Sequence, residues 1–287
     1  DERQKDIMKT TDQIGIIGFV SMGSMLAEGL LRTGAVPPNG LRIFTRTVKR
    51  ARGFARLEND ITVCDSVQSA VSGCAVVLLC VPPDESPEVL GEIGKTFAKN
   101  QILVSIVGSL TLDLMERVFP HKIVRMVPSI TAEVDEGTFV ISCNEYCTDG
   151  DINKIRRLFG YMGEVVEINE KKIEAFTDLT SCGPGILSAL FQEYVNSAVR
   201  IGKVSEKEAI RVFTQTLYGL SKLYVEDGTD FETVIKRVAR KGGTTEIGIE
   251  AIRRSAPACF DEVFSKTLEH QKKRKTDLRK AIAGQRP

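Results

Sequence analysis

A glycine-bearing turn near residue 18 carries the clearest signature of nucleotide binding. Residues 14–19 are mostly apolar, as expected of a short buried strand, and apolar side chains recur at helical spacing over residues 22–30. A strand, a glycine turn and a helix in this order open a dinucleotide-binding fold, whose helix N-terminus presents free N–H groups to a pyrophosphate. Position 20 is valine rather than glycine, so an ordinary strand-to-helix turn is the alternative. The residues assigned to the cofactor here are Gly18, Phe19, Val20, Ser21 and Met22.

The segment after the second predicted strand, residues 41–45, indicates which nicotinamide cofactor is used. An NAD-selective fold places Asp or Glu there to bind the ribose hydroxyls, whereas a 2′-phosphate requires positive charge and hydroxyl groups. This chain has Thr45, Arg46 and Thr47 at that point, with no acidic residue nearby in the sequence. The pattern favours NADP(H), with NAD(H) as the alternative. The alternative without a binding role is that the exposed face of the next helix simply carries these basic residues, Arg46, Lys49 and Arg50.

Predicted strands and helices alternate over residues 14–170, which indicates an α/β fold with an N-terminal Rossmann-type, doubly wound, mostly parallel sheet. The remaining predicted strands are residues 61–64, 74–81, 101–107, 122–127, 138–141 and 164–168. Ligands of such sheets lie beyond the carboxyl ends of the strands. Two of these ends add cofactor-binding candidates, which are Val81, Pro82, Pro83 and Ser105.

The second half of the sequence predicts helices only. Apolar residues at three-to-four spacing mark helices at residues 186–201, 205–225, 231–240, 244–254 and 260–283. Their apolar faces exceed what a small appendage needs, so we expect this half to pair with a second copy, as a homodimer or higher homo-oligomer. The predicted domains are therefore a disordered lead (1–13), a dinucleotide-binding domain (14–170) and a helical substrate and dimerisation domain (171–287).

Composition argues against several classes of partner. The net charge of +1 gives no overall attraction for nucleic acid, and no apolar run is long enough to cross a membrane. A basic run over residues 271–280 is interpreted as a solvated helix end rather than a binding patch. Seven cysteines without a CxxC pair predict neither a disulfide framework nor a metal site, which is typical of a cytoplasmic protein.

Taken in order, these segments resemble the pyrroline-5-carboxylate reductases, which form proline by NAD(P)H-dependent reduction of a cyclic imine. The similarity runs from residue 14 to about residue 274, and the ordered combination is more specific than any single piece. In the first domain it rests on Gly15-Ile-Ile-Gly18, Arg46-Thr47, Val81 with Pro83, Ser105-Ile106 and Arg125-Met-Val-Pro128. In the helical half it rests on Ser181-Cys182-Gly183-Pro184, Gln215-Thr216, Gly219 and Gly242-Gly243-Thr244-Thr245.

The sequence also departs from the family pattern. Val20 stands where the family has glycine, Ser129 replaces an Asn, and Arg240-Lys241 replace a Ser-Pro pair. These departures are similar to those of a divergent branch that includes the reductase-like protein of late competence operons. Two alternatives to proline formation therefore stay open: a non-catalytic nucleotide-binding regulatory protein of the same fold, and a reductase of a related imino acid.

Reduction of a C=N bond requires a hydride donor close to the carbon and a proton source for the nitrogen. The sequence has only two histidines, His121 at the start of a predicted strand, far from the motifs, and His270 in the last predicted helix. This argues against a histidine-dependent alcohol dehydrogenase. The resemblance implies that Thr245 is the catalytic donor, and the turn before it opens a helix whose N–H groups suit a substrate carboxylate. The substrate-binding candidates are Arg240, Gly242, Gly243, Thr244 and Thr245. A glycine turn with a threonine N-cap, and an Arg240 that points to solvent, are the structural alternatives.

Overall fold

The computed structural model describes residues 12–58 and 60–284 of the chain. Within these residues the chain divides into two compact units, the first running to Pro184 and resuming at Leu268, and the second covering Gly185–Thr267. The predicted boundary between residues 170 and 171 thus falls inside the first unit. Most of the predicted disordered lead lies outside the described residues, although Gln13, which that prediction included, is the first residue of a strand.

The first unit is built on one eight-stranded sheet in the order β3-β2-β1-β4-β5-β6-β7-β8. The pairs are parallel except β6 with β7, so the predicted mostly parallel, Rossmann-type sheet is confirmed. The strands are β1 (Gln13–Ile17), β2 (Leu41–Phe44), β3 (Thr62–Val63), β4 (Cys74–Leu79), β5 (Ile102–Ser105), β6 (Lys122–Pro128), β7 (Gly137–Cys143) and β8 (Gly163–Glu167).

Helices alternate with these strands and then make up the rest of the described chain. Those of the sheet region are α1 (Ser21–Arg32), α2 (Val48–Leu57), α3 (Val67–Val71), α4 (Ser86–Gly94), α5 (Leu112–Glu116), α6 (Asp149–Phe159) and α7 (Ile173–Thr180). The helical half contains α8 (Gly183–Gly202), α9 (Glu206–Val225), α10 (Phe231–Val238) and α11 (Thr244–Gly284). None of the helices within the described residues is both long enough and apolar enough to cross a bilayer.

Both faces of the sheet are covered by apolar side chains. Successive residues of a strand point to opposite faces, so Ile16 packs with Leu26 of α1 on one side, while Ile17 and Leu79 pack with Ile93 of α4 on the other. Strands that are buried on both faces carry continuous apolar runs, because neither face meets water. This double burial is the reason that such runs in the sequence predict the parallel strands correctly.

The prediction of two helices at residues 244–254 and 260–283 is wrong, because α11 continues as one 41-residue helix with Pro257 inside it. Proline removes one backbone hydrogen bond from a helix interior and crowds the preceding turn, at a cost of about 3 kcal/mol. Packing of the C-terminal part of the helix offsets this cost. Leu278 is buried in the core of the first unit, and Gln271 donates a 2.7 Å hydrogen bond to Asp178.

The basic run over residues 271–280 is therefore not simply a solvated helix end. Arg279 pairs with Asp113 at 3.0 Å, and Lys275 pairs with Glu174 of α7. Because α11 is helical throughout this run, residues 271, 275, 278 and 279 recur on one face of it. That face packs on the first unit, and the opposite face carries the exposed charges.

Candidate functional site

Seven of the predicted cofactor residues line one cavity of about 520 Å³ at the carboxyl edge of the sheet. The cavity opens where β1, β2 and β4 end, since Ile17 lies opposite both Phe44 and Leu79 in the paired strands. The predicted residues in its wall are Gly18, Val20, Thr45, Arg46, Thr47, Val81 and Pro82. The position matches the place where ligands bind in open parallel sheets, beyond the carboxyl ends of the strands.

The turn between β1 and α1 requires glycine at two positions. Gly18 adopts φ +97°, and a Cβ built on it would lie 2.5 Å from the carbonyl oxygen of Cys80. A Cβ on Gly23 would lie 2.2 Å from the carbonyl oxygen of Gly18. Both contacts are with backbone, which cannot move aside cheaply. These glycines bring α1 and its N-terminus close to the end of β1, which is the geometry that admits a pyrophosphate.

The N-terminus of α1 keeps its backbone donors free of internal caps. Val20 is the N-cap residue, its side chain makes no capping hydrogen bond, and the first turn contains no acidic side chain. Its backbone is extended (φ −108°, ψ −151°), so valine is accommodated there without strain. Val20 is 59% exposed and its side chain lines the cavity, where glycine would leave more room. The N–H groups and dipole of this helix end fit an anionic phosphate.

The chain segment after β2 meets an acidic residue that the sequence interpretation missed. Arg46 is 74% exposed on its side chain and forms an ion pair with Glu85, which is the N-cap residue of α4. Glu85 follows β4, and because β4 and β2 both pair with β1, the two loops meet at the same sheet edge. The order of the strands, with β1 between β2 and β4, was the signal that could have predicted Glu85 as a neighbour of Arg46. Arg46 therefore has an acidic neighbour in the folded structure, although none lies near it in the sequence.

Carboxylates dominate the charged lining of the cavity. Among the described residues that line it, Arg46 is the one cation, whereas the acidic residues are Asp65, Glu85, Glu88 and Glu92. Hydrogen bonds from Lys95 and Gln68 hold the pKa of Glu92 below its ordinary value, so that carboxylate stays ionised at neutral pH. Burial raises the pKa of the Cys80 thiol, which also lines the cavity, to about 12. Cys80 is therefore a neutral wall residue at neutral pH.

The remaining predicted cofactor residues do not line this cavity. Phe19 is buried and its ring packs against Phe54 at 5.3 Å between centroids, and Ser105 is fully buried beneath the end of β5. Ser21 and Met22 form the start of α1, and the carbonyl of Pro83 accepts a 2.7 Å hydrogen bond from Ser86. Phe19 and Ser105 can therefore contribute to binding only through backbone groups or by shaping the turns.

The predicted substrate residues form one turn at the start of α11 in the second unit. Gly242 adopts φ +74°, the N–H of Gly243 donates to the carbonyl of Arg240 at 2.8 Å, and Thr244 and Thr245 begin the helix. The Arg240 side chain is exposed, which agrees with the structural interpretation of this residue. Glu246 was not predicted, yet its carboxylate accepts a 2.6 Å hydrogen bond from the N–H of Gly242 and so caps the turn.

No cluster of three or more metal-ligating side chains occurs among the residues that the structure describes. At the sheet edge, the free N–H groups of the α1 N-terminus suit a phosphate, and the carboxylates of the cavity can accept hydrogen bonds from hydroxyl groups. A glycine turn, an uncapped helix N-terminus and an adjoining cavity together fit a dinucleotide. The chain is thus built as a dinucleotide-binding protein with a helical second unit.

Comparison with known proteins narrows this class. Residues 13–109 match the family model described as NADP oxidoreductase, coenzyme F420-dependent, and residues 170–278 match that of pyrroline-5-carboxylate reductase dimerisation. The chain is 34% identical to pyrroline-5-carboxylate reductase 3 of Bacillus subtilis (strain 168), with 90% of this chain and 94% of the relative covered. It is 28% identical to ComE operon protein 4 of the same organism, over 89% and 93%. The chain belongs to the pyrroline-5-carboxylate reductase family, as its motifs predict.

Solved structures show the same fold at lower identity. A pyrroline-5-carboxylate reductase from Coxiella burnetii superposes with a TM-score of 0.82 at 22% identity, covering 94% of this chain and 99% of that one. Plasmodium falciparum pyrroline carboxylate reductase, solved with NADP bound, gives a TM-score of 0.79 at 21% identity, covering 93% and 98%. The two-part architecture predicted for this chain is thus that of the family.

Proposed function

We propose that this protein reduces a cyclic imine with NADPH, and that the substrate is 1-pyrroline-5-carboxylate, which becomes proline. The observation that carries the proposal is the Gly18 turn, which opens onto a cavity lined by Thr45, Arg46 and Thr47. Membership of the pyrroline-5-carboxylate reductase family supports the choice of substrate. The small-molecule partner is accordingly an imino acid, and the near-neutral chain offers no broad attraction for nucleic acid.

The residues of the sheet edge hold the cofactor in this proposal. The first N–H groups of α1, beyond Gly18 and Val20, bind the pyrophosphate, because they lack partners inside the helix. Arg46 and the hydroxyls of Thr45 and Thr47 bind the 2′-phosphate. Phe19, Ser21, Met22, Val81, Pro82, Pro83 and Ser105 shape the turns around these groups. NADPH, when bound, supplies the hydride.

The turn at the start of α11 holds the substrate in this proposal. The free N–H groups of its first residues, with the dipole of a long helix behind them, suit the single carboxylate of the imino acid. Gly242 and Gly243 keep the backbone there accessible, and Arg240 and Thr244 flank the same turn. Thr245 is exposed in the first turn, where its hydroxyl donates a hydrogen bond to the imine nitrogen. An imine nitrogen is basic enough to accept a proton through such a hydroxyl, which regains a proton from water so that the residue ends the turnover unchanged.

Steady-state oxidation of NADPH with pyrroline-5-carboxylate tests the activity. Replacement of Thr245 by Ala should lower turnover at least tenfold and leave the dissociation constant for NADPH within about twofold, because proton donation contributes about 10²–10⁴-fold. The matched control is Thr276→Ala, in the same helix, whose exposed hydroxyl donates to the carbonyl of Lys272. Equal losses of turnover and NADPH affinity in Thr245→Ala would mean that the residue supports the fold instead.

Two other outcomes correspond to the alternative functions. Tight NADPH binding without turnover of any imine would favour a regulatory protein of the same fold. A panel of imines with a second acidic group, assayed on wild type and Arg240→Ser, tests a related substrate. If Arg240 faces the substrate, the variant loses the preference for the doubly acidic compounds; an unchanged preference places Arg240 in solvent.

We further propose that the second unit pairs with a copy of itself, as a homodimer or a larger homo-oligomer. The match to the dimerisation model and the exposed apolar side chains of α8 and α9 support this. Leu190 and Tyr194 of α8, and Val212 and Tyr218 of α9, are each more than 40% exposed. Light scattering after size exclusion should give at least twice the chain mass, and Tyr194→Asp should reduce it because a charge buried in an apolar interface is costly. A monomeric wild type would overturn the proposal.

We place the protein in the cytoplasm, because its seven cysteines are all free in the structure, as expected in a reducing compartment. Cell fractionation with an antibody to the chain tests this placement. Recovery in a membrane or secreted fraction would contradict it.

A further inference from the structure

Glu85 and Arg46 form an ion pair across the mouth of the cofactor cavity. The two residues lie 39 positions apart in the chain and belong to the loops after β4 and β2. Glu85 is the less exposed partner, at 23% of its side chain against 74% for Arg46. As the N-cap residue of α4, Glu85 has its backbone fixed by the helix, whereas Arg46 has a long side chain that can turn away. Glu85 is therefore the more buried member of the pair and Arg46 the more exposed one.

The other carboxylates of the cavity do not neutralise Arg46 in this way. Glu92 already accepts hydrogen bonds from Lys95 and Gln68, and within the described residues Arg46 forms an ion pair with Glu85 and with no other carboxylate. Arg46 is the one cation among the lining residues that the structure describes, so its availability decides how much side-chain positive charge the cavity offers to a ligand. A 2′-phosphate carries about two negative charges at neutral pH, whereas a ribose 2′-hydroxyl carries none and can donate to a carboxylate.

We propose that Glu85 determines the balance between NADPH and NADH by competing with the 2′-phosphate for Arg46. With the ion pair formed, the cavity presents a carboxylate that accepts hydrogen bonds from ribose hydroxyls, which favours NADH. When a 2′-phosphate binds, Arg46 must leave Glu85, and the carboxylate then faces a second anion. Glu85 is thus a specificity residue that weakens NADPH binding and supports NADH binding. Because the assignment of this cavity to the cofactor belongs to the proposed function, the role of Glu85 rests on it.

Direct binding titrations of the full chain with NADPH and NADH test the role of Glu85 without any imine. Glu85→Gln keeps the size and hydrogen-bonding capacity of the side chain but removes its charge. It should raise the affinity for NADPH and lower that for NADH, so that their ratio shifts about five- to tenfold toward NADPH, as expected for a charge-assisted contact at a partly exposed site. The matched control is Glu88→Gln, which removes the same charge from the same cavity lining. It should shift the ratio by less than about twofold, since Arg46 is not its partner.

The double variant isolates the competition. Removal of the guanidinium by Arg46→Gln should weaken NADPH binding more in the Glu85→Gln background than in wild type, because only there is Arg46 free of its partner. Unfolding midpoints of all variants within a few degrees of wild type would show that each has folded. Equal shifts for the Glu85 and Glu88 variants, or equal effects of Arg46→Gln in both backgrounds, would overturn the proposal for Glu85 alone. Binding of neither cofactor to wild type would overturn it together with the proposed function.

Discussion

Replacement of Gly18 by alanine tests whether the turn after β1 depends on glycine as the geometry requires. The backbone of Gly18 lies at φ +97°, a conformation that costs an L-residue about 1–2 kcal/mol. The added methyl group would lie 2.5 Å from the carbonyl oxygen of Cys80 and 2.7 Å from its carbon. Forcing such overlap into a packed region costs about 1–3 kcal/mol more.

The two effects, less a gain of roughly 0.5 kcal/mol from the stiffer unfolded chain, predict that the free energy of unfolding falls by about 1.5–4.5 kcal/mol. For a unit of this size the unfolding midpoint should fall by roughly 5–15 °C. NADPH affinity should fall more than about tenfold, because relief of the overlap moves the N-terminus of α1 away from the phosphate position. The loss of affinity would exceed what partial unfolding alone produces.

Urea denaturation followed by circular dichroism measures the stability, and titration of NADPH fluorescence measures the affinity. Gly91→Ala in α4 is the matched control, since a methyl group there meets no atom within 4 Å and the residue is exposed in a helix. Alanine should stabilise that position by about 0.5–1 kcal/mol. A Gly18→Ala protein with wild-type stability and wild-type NADPH affinity would refute the reasoning about this turn.

Two further predictions concern charged groups within the first unit. Burial opposes ionisation of Asp151, but the hydrogen bonds from Lys122 and Thr148 outweigh burial and hold the pKa of this carboxyl below its ordinary value of 3.8. Its stabilisation is therefore fully present above the ordinary pKa of 3.8 and is lost as the pH falls through the lower folded pKa. Asp151→Asn should cost about 1–2 kcal/mol at pH 7 and progressively less as the pH falls below 3.8, as measured in urea titrations. Arg125 is buried and pairs with Glu170 at 2.9 Å, so Arg125→Met should cost about 3 kcal/mol, and adding Glu170→Gln should recover part of that loss. A strictly additive double variant would contradict the pairing.

Much of the sheet is predictable from the sequence alone. Its central strands, such as β4 and β5, appear as continuous apolar runs because both faces are covered, and the glycine turns and prolines that end the runs mark their boundaries. The helices were harder to place. The proline at position 257 predicts a break, yet α11 passes through it, because Leu278 and its neighbours pack on the first unit and favour one continuous helix. A prediction from local helix propensity takes no account of this packing energy, because the packing involves residues distant in the sequence.

The Gly18 turn and the Arg46–Glu85 pair show where sequence information ends. The need for glycine at position 18 follows from a local pattern of strand, turn and helix, and the structure shows the close backbone approach that explains it. Similarly, the ordered motifs were enough to identify the family. The acidic partner of Arg46 was not predictable from the residues beside it, because β1 lies between β2 and β4 and brings their distant loops to one edge. The sequence determines features that depend on neighbouring residues, such as the glycine turn. The charge of the cavity was decided only by the tertiary structure, because it depends on which loops the strand order brings together.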